Sequence, residues 1–428
     1  MSVSSNPEAP LTTPHARMSL VAALVSLLLY PTAPQAQDTP DPAGDALATP
    51  LSWDDDDAGF FDLGRLEGAR ELAVSGYLDA AFINAQGEGR AGVPSFDQAT
   101  AGIFIGSPIY EDKVYASLAV EFFNQPRAFN GLGRRLIVLE QAEIELATPV
   151  EGLRVGVGGF LVPFGLEDER HASVVNPFIT RPEVMSGGTI YPGTWSDLGV
   201  RVGWRVKGVG QAVVYSVNGD VANQRLALQT ALGVNAAPLT DAEARQQDLH
   251  VFGFTAPADI NAGKSYGARL SLDGLLEGVN LGGSAVWGRY DEDNERATWA
   301  AGGHLELVLG EALAGALGRV LPLPTLLGEY VRTAEEGSDT VAGRDRARYG
   351  VYGVALQPLI WDVELLVRYE FFDPDTETFD DEAQVIALGT RWTIYPNTFA
   401  KAEYRIRDEN RPDELKNNLF ALQLAVGW

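Results

Sequence analysis

The last nine residues of the chain alternate without a break. Phe420, Leu422, Leu424, Val426 and Trp428 share one parity, and Ala421, Gln423, Ala425 and Gly427 take the other. A two-residue period puts each set on its own face of a β-strand, one oily and one small or polar. The same period recurs upstream. Val114, Ala116, Leu118, Val120 and Phe122 oppose Tyr115, Ser117, Ala119 and Glu121, and Leu198, Val200, Val202 and Trp204 oppose Gly199, Arg201, Gly203 and Arg205. Trp361, Val363, Leu365, Val367 and Tyr369 oppose Asp362, Glu364, Arg368 and Glu370. Ala400, Ala402, Tyr404 and Ile406 oppose Lys401, Glu403, Arg405 and Arg407. The pattern predicts strands at 73–83, 98–107, 113–124, 139–147, 153–160, 197–206, 211–218, 264–272, 280–290, 298–308, 325–333, 346–356, 361–371, 383–394, 398–407 and 418–428. Two of them, 211–218 and 325–333, read in either parity.

Strands of about ten residues have the length that crosses a membrane at a tilt. In a soluble sandwich the charged faces would point to water and the apolar faces to one core, which this many strands would overfill. A barrel with lipid outside and water inside accommodates all of them, and closure leaves no backbone edge unpaired in lipid. The separators agree. Short ones at 107–112, 149–152, 207–210, 273–274, 357–358 and 395–397 alternate with long ones at 84–97, 125–138, 161–196, 219–263, 291–297, 334–345, 372–382 and 408–417. Outer-membrane barrels have short periplasmic turns and longer outer loops. Leu309 to Pro324 is the exception, a long Ala/Leu-rich connection on the short-turn side that suits a short amphipathic helix. The predicted class is all-β, a transmembrane antiparallel up-and-down β-barrel of about 16 strands.

Composition sharpens this reading. A hydrophobic share of 46% and a mean hydropathy of −0.04 are too polar for a bundle of membrane helices. They suit strands of which only alternate residues meet lipid. The lack of cysteine excludes a disulfide framework and a thiolate metal site, and a net charge of −26 argues against a nucleic-acid partner. Near the start, His15 and Arg17 precede an apolar run from Leu20 to Leu29, too short to span a bilayer as a helix and suited to a secretory signal. The expected organisation is a signal peptide over 1–36 cleaved after Ala36, an acidic Pro/Asp-rich periplasmic arm over 37–72, and a barrel over 73–428. Met18 is an alternative start. The expected location is the outer membrane of a Gram-negative bacterium.

One stretch carries a family resemblance. It runs through Ala142 to Leu146, Val150 to Gly158, Phe160 to Glu167, Arg181-Pro182-Glu183, Pro192 to Val200 and Val214 to Gly219. This stretch resembles porins of the phosphate-selective O and P family. The resemblance implies a sixteen-stranded trimeric outer-membrane channel. The chain departs from the phosphate-selective members in lacking their ladder of closely spaced lysines, having only Lys113, Lys207, Lys264, Lys401 and Lys416.

In a pore, rings of side-chain charge at the narrowest point set ion preference. The separator 161–196 is expected to fold inward and bring Arg170, His171 and Arg181 to the solute. Arg154, Arg201 and Arg205 flank it on neighbouring strands; Arg391, Arg405 and Arg407 lie across the barrel; Glu121, Glu143 and Glu145 supply negative charge. The bland alternative is that these residues pair with one another and keep the lumen wet. Glu143 and Glu145 are expected to neutralise part of Arg154, leaving a mild anion preference. Catalytic motifs fail: Gly263-Lys264-Ser265 lacks the leading glycine of a phosphate loop, Gly156-Val157-Gly158 lacks the third glycine of a dinucleotide loop, and Ser284 sits in no nucleophile elbow. The histidines His15, His171, His250 and His304 match no metal spacing. No cofactor, metal or catalytic residue is therefore expected. The leading functional reading is a passive porin for small hydrophilic solutes or ions, seated among outer-membrane lipid and lipopolysaccharide as a homotrimer. Its rivals are a plugged structural or adhesive barrel and a membrane-bound hydrolase using His304.

Overall fold

A computed structural model describes residues 72–85, 95–110, 113–124, 135–185, 190–191, 193, 195–219, 262–291, 293–312, 323–338, 344–410 and 418–428. The expected signal segment 1–36, most of the expected arm 37–72, and much of the long separators lie outside the described residues. So does most of the 309–324 connection, of which Leu309–Ala312 forms one helical turn.

The strands are β1 (Ala73–Ala85), β2 (Ser95–Tyr110), β3 (Val114–Asn124), β4 (Arg135–Ala147), β5 (Leu153–Leu161) and β6 (Ser196–Val206). They continue as β7 (Gly210–Val217), β8 (Ser265–Leu276), β9 (Val279–Arg289), β10 (Ala297–Val308) and β11 (Thr325–Ser338). The last five are β12 (Arg344–Pro358), β13 (Val363–Asp373), β14 (Ala383–Tyr395), β15 (Thr398–Glu409) and β16 (Leu419–Gly427). Every strand pairs antiparallel with its sequence neighbour, and β1 pairs with β16, which closes a sixteen-strand barrel. The seam runs from Tyr77↔Gly427 to Ala85↔Leu419. Gly76 and Trp428 finish it by exchanging two backbone hydrogen bonds, each 3.0 Å.

Two turn assignments shift relative to the sequence reading. Trp361 and Asp362 leave the strand and form the turn between β12 and β13, both with positive φ (60° and 56°), the pairing that a tight hairpin turn demands. β8 runs through Asp273-Gly274, which fall inside a register shift between Leu272 and Leu276, and its turn falls at Glu277-Gly278. Strands 2, 4, 11 and 12 also extend beyond the predicted ends.

The faces sort as alternation dictates. Leu198, Val200 and Trp204 on β6, Leu365, Val367 and Tyr369 on β13, and Phe420, Leu422 and Leu424 on β16 are exposed on the outer surface. Their alternates Arg201, Arg368, Glu370, Ala421 and Gln423 are buried inside. Exposed aromatics gather at both ends of the strands: Trp204, Trp361, Tyr395 and Trp428 at the short-turn end, and Tyr266, Trp287, Trp299 and Tyr369 toward the other. An apolar exterior ringed by two aromatic girdles is the surface that a bilayer and its interfaces require. Among the described residues no helix is long and apolar enough to cross a membrane, an observation that does not bear on strands.

The inner faces do not enclose water alone. Phe160, Val162, Phe164, Val184, Met185, Ile190 and Tyr191, from the end of β5 and the connection to β6, form one apolar cluster with wall residues. Those wall residues include Val213, Tyr215, Val286, Val331, Tyr352, Phe372 and Val385. Phe164 stacks on Tyr191 with ring centroids 3.9 Å apart. The cluster therefore draws on wall strands β7, β9, β10, β11, β12, β13 and β14.

Candidate functional site: the lumen and the segment folded into it

The segment from Val162 to Trp195 has almost no regular structure; a single helical turn at Glu167–Arg170 is its one element among the described residues. A buried backbone with no ladder partner leaves its N–H and C=O groups to be satisfied by side chains. Wall charges do this. Glu403 on β15 accepts hydrogen bonds from the backbone N–H of Ile179 (2.7 Å) and Thr180 (2.9 Å) and from the Thr180 hydroxyl. Glu370 on β13 accepts from the Glu183 N–H at 2.5 Å. Arg368 donates to the Thr180 carbonyl at 2.6 Å, to its hydroxyl at 2.9 Å and to Glu370 at 2.8 Å, and its guanidinium lies 4.6 Å from the Phe178 ring centroid. Lys401 donates to the carbonyls of Ser173 and Asn176. Cations thus take the segment's carbonyls and carboxylates take its N–H groups.

The opposite wall holds the other end. The Gly165 N–H donates to Ser284 Oγ at 3.0 Å, and Arg170 forms a two-armed pair with Glu306 at 3.0 and 2.7 Å. Gly165 has φ +71°, and a Cβ there would lie 2.0 Å from the Glu329 carboxylate. Gly165→Ala is expected to loosen the docked segment by ~1 kcal/mol or more, through the left-handed backbone and the displaced carboxylate. Faster amide hydrogen exchange over 162–185 with an unchanged barrel ladder would show it; unchanged exchange would refute it.

The sequence-predicted residues fall into separate groups. His171 and Glu121 meet: His171 Nε2 lies 3.6 Å from Glu121 and 3.0 Å from Glu140. Arg201 pairs with Glu143 through two hydrogen bonds, one of them 2.6 Å. Arg181 lies 3.5 Å from Glu167. Arg405 and Arg407 both reach Glu183 at 3.0 Å. Arg154, Arg205 and Arg391 stand apart from these, near the short-turn ends of their strands. Arg154 pairs with Glu145 (2.9 Å), Arg205 with Asp273 (3.4 Å) and Arg391 with Glu364 (2.5 Å).

This corrects the expected neutralisation of Arg154 by both carboxylates. Glu143 instead reaches past β5 to Arg201 on β6. The path crosses Gly156, where a Cβ would lie 2.0 Å from Glu143 Oε1 and 3.1 Å from Arg201 Cγ. The missing side chain is what lets the two groups meet.

Several lumen groups escaped the sequence reading. Glu140 is one. The register of β3 and β4 shifts between Ala119↔Gln141 and Val120↔Leu139, leaving Glu140 unpaired in a bulge. The extra residue flips the local parity, so Glu140 and Gln141 both turn away from lipid. Arg269 on β8 and Asp79 on β1 are also buried inside. Their signal was present, since Arg269 alternates with the exposed Tyr266-side residues as Ser265, Gly267 and Ser271 do. Ser284 and His304 are both buried on the lumen side, with Ser284 Oγ taken by the Gly165 N–H.

No protein-family model matches the chain, and no curated protein matches it. Solved structures do. The chain is similar to the anion-selective porin from Comamonas acidovorans, at 11% identity and a TM-score of 0.53, covering 83% of this chain and 98% of that one. It is similar to OmpF of Salmonella typhi, solved as a complex with daunomycin, at 12% identity and 0.52, covering 83% and 97%. High-pH OprB of Pseudomonas putida follows at 11% and 0.51, covering 84% and 94%. The chain has the porin barrel fold.

Proposed function

We propose that the protein is an outer-membrane porin of a Gram-negative bacterium that lets small hydrophilic solutes or ions diffuse passively. The observation that carries this is the inverted barrel itself: an apolar exterior with aromatic girdles around a lumen lined by polar and ionisable side chains. Purified protein in planar bilayers is expected to give stepwise ohmic conductance. A barrel that inserts and never conducts would overturn the reading.

A mild anion preference belongs to the same proposal. In three lumen pairs the arginine faces water more than its carboxylate: Arg154 and Glu145 are 22% and 6% exposed, Arg181 and Glu167 22% and 4%, Arg407 and Glu409 20% and 6%. At these three pairs a positive head stands in front of a buried carboxylate, in a low-dielectric wall that focuses the field; at Arg391–Glu364 and Arg205–Asp273, near the short turns, the carboxylate is the more exposed partner. Membership of the phosphate-selective O and P family rests on the Ala142–Gly219 motifs alone, and the scarcity of lysine speaks for a less phosphate-directed pore. Assembly as a homotrimer in contact with lipopolysaccharide completes the proposal; Vibrio cholerae OmpT, similar in fold at 11% identity and a TM-score of 0.50, was solved in a trimer form.

A second reading, a plugged barrel, is favoured by one observation. The 162–195 segment is fastened to β3 and β4, to β9 and β10, and to β13 and β15. Replacing this segment with a short Gly/Ser linker separates the two. A plugged barrel begins to conduct only in the variant, whereas a porin conducts in both forms.

A further inference from the structure

The sequence separates Glu121, Glu140 and His171 by tens of residues, and no ligand spacing connects them. The fold brings them together. β3 supplies Glu121, the bulge in β4 turns Glu140 inward, and the docked segment delivers His171 immediately after its helical turn. All three are buried, at 2%, 3% and 5% exposure. One ligand atom from each lies within 4.8 Å of the others. Glu140 Oε2 is buried with no hydrogen-bond partner among the described residues, a costly state for a carboxylate oxygen. The Tyr77 hydroxyl donates to Glu121 Oε1, the oxygen that faces His171, and helps to hold that carboxylate in place.

We propose that Glu121, Glu140 and His171 bind a divalent first-row transition-metal ion, for which zinc is the probe. The donor set decides the class: an imidazole nitrogen beside two carboxylates suits Zn²⁺ and its neighbours better than Ca²⁺ or Mg²⁺, which favour all-oxygen sites. The geometry fits. Two ligand atoms each about 2.0–2.2 Å from zinc at tetrahedral angles stand about 3.3–3.6 Å apart, and the observed separations from His171 Nε2 are 3.0 and 3.6 Å. A doubly charged ion balances the two carboxylates and gives Glu140 Oε2 a partner as the second oxygen of a bidentate ligand. Tyr77 then serves as the outer hydrogen-bond partner that orients a ligating carboxylate. The ion would clip the inward segment to the β3–β4 wall.

The competing occupant is a proton. Burial pulls the His171 imidazole down, but the Glu140 charge and hydrogen bonds to Glu121 and Glu140 outweigh it and push its pKa up to about 10. In that case the cluster is a metal-free ion-pair latch.

The full-length folded protein should be stripped with EDTA, loaded with zinc, desalted and assayed by elemental mass spectrometry. Wild type is expected to retain one zinc per chain. Glu140→Gln and His171→Gln are each expected to weaken zinc binding tenfold or more, the loss seen even for outer partners of a metal site. Circular dichroism and heat-modifiable gel mobility establish that each variant is folded. Wild-type protein provides a second measurement needing no variant: Co²⁺ should develop visible absorption that saturates at one equivalent and is abolished by competing Zn²⁺. Absence of stoichiometric zinc and of the cobalt band in wild type establishes the ion-pair latch and overturns the proposal. Equal zinc retention by folded wild type and both variants assigns the metal to acidic loops elsewhere and also overturns it.

Discussion

Arg368→Ala is expected to release the inward segment from the β13–β15 wall while leaving the barrel closed. Arg368 is 1% exposed at its side chain and lies against two carboxylates as deeply buried, Glu370 at 2.8 Å and Glu403 at 3.8 Å. It also donates to the carbonyl and hydroxyl of Thr180. Removing one partner of a buried ionic group leaves uncompensated charge and costs ~3–5 kcal/mol. The β13 ladder to β12 and β14 is made by backbone atoms and does not depend on this side chain. The cost therefore falls on docking: hydrogen-exchange protection over 172–185 should drop by two orders of magnitude or more, and single-channel conductance should rise or flicker. Arg368→Ala combined with Glu370→Gln should recover part of the protection, because the second change removes the stranded charge. Unchanged protection in the single variant would show that Arg368 does not hold the segment.

That role for Arg368 was not legible in the sequence, although its direction was. Alternation told correctly that Arg368, Glu370, Lys401 and Glu403 turn away from lipid, because a strand's period fixes which face a residue takes. What stands opposite that face is decided elsewhere in the chain. In the fold these charges are buried and serve as hydrogen-bond partners for a backbone that has no ladder of its own. Glu140 was lost for a different reason. A bulge breaks the two-residue period at one point, and a reading built on that period assigns Glu140 to the lipid face with Ala142 and Ile144. The pairing of Glu143 with Arg201 was beyond reach as well. It depends on the register of three strands and on the empty space above Gly156, neither of which follows from the order of residues.

The same register explains why ion preference cannot be counted from arginines. Arg201 was expected to act on passing ions, but it is 4% exposed and held by Glu143. The arginines that water reaches, among them Arg405 and Arg407, are the better candidates.

Acid should make the pore more anion-selective, and Glu183 should account for much of the change. Its carboxylate sits between Arg405 Nη1 and Arg407 Nε, each at 3.0 Å. The other charged groups packed against it are Arg368 and, through the Glu183 N–H, Glu370. Burial pushes the Glu183 pKa up, but Arg407, Arg405 and Arg368 outweigh burial and hold it below the usual carboxylate range. A depressed carboxylate contributes stability that is present above its unfolded pKa, ~4.3, and is lost as pH falls through the lower folded value. Glu183 therefore stays ionised at neutral pH and protonates only in more acidic solution, where Arg405 and Arg407 lose their shared counter-charge. One unit charge about 10 Å from an ion in water is worth ~0.4 kcal/mol, favourable for an anion and unfavourable for a cation, so the permeability ratio should change roughly fourfold in dilute salt. Salt should shrink the shift, because the Debye length falls to ~8 Å at physiological ionic strength. Glu183→Gln carries the decisive comparison, since it removes the charge at this one carboxylate without acidifying the rest of the lumen. The variant should be anion-shifted already at pH 7 and should show a smaller further shift on acidification. A variant whose reversal potential matches wild type at pH 7 would show that passing ions do not sense Arg405 and Arg407.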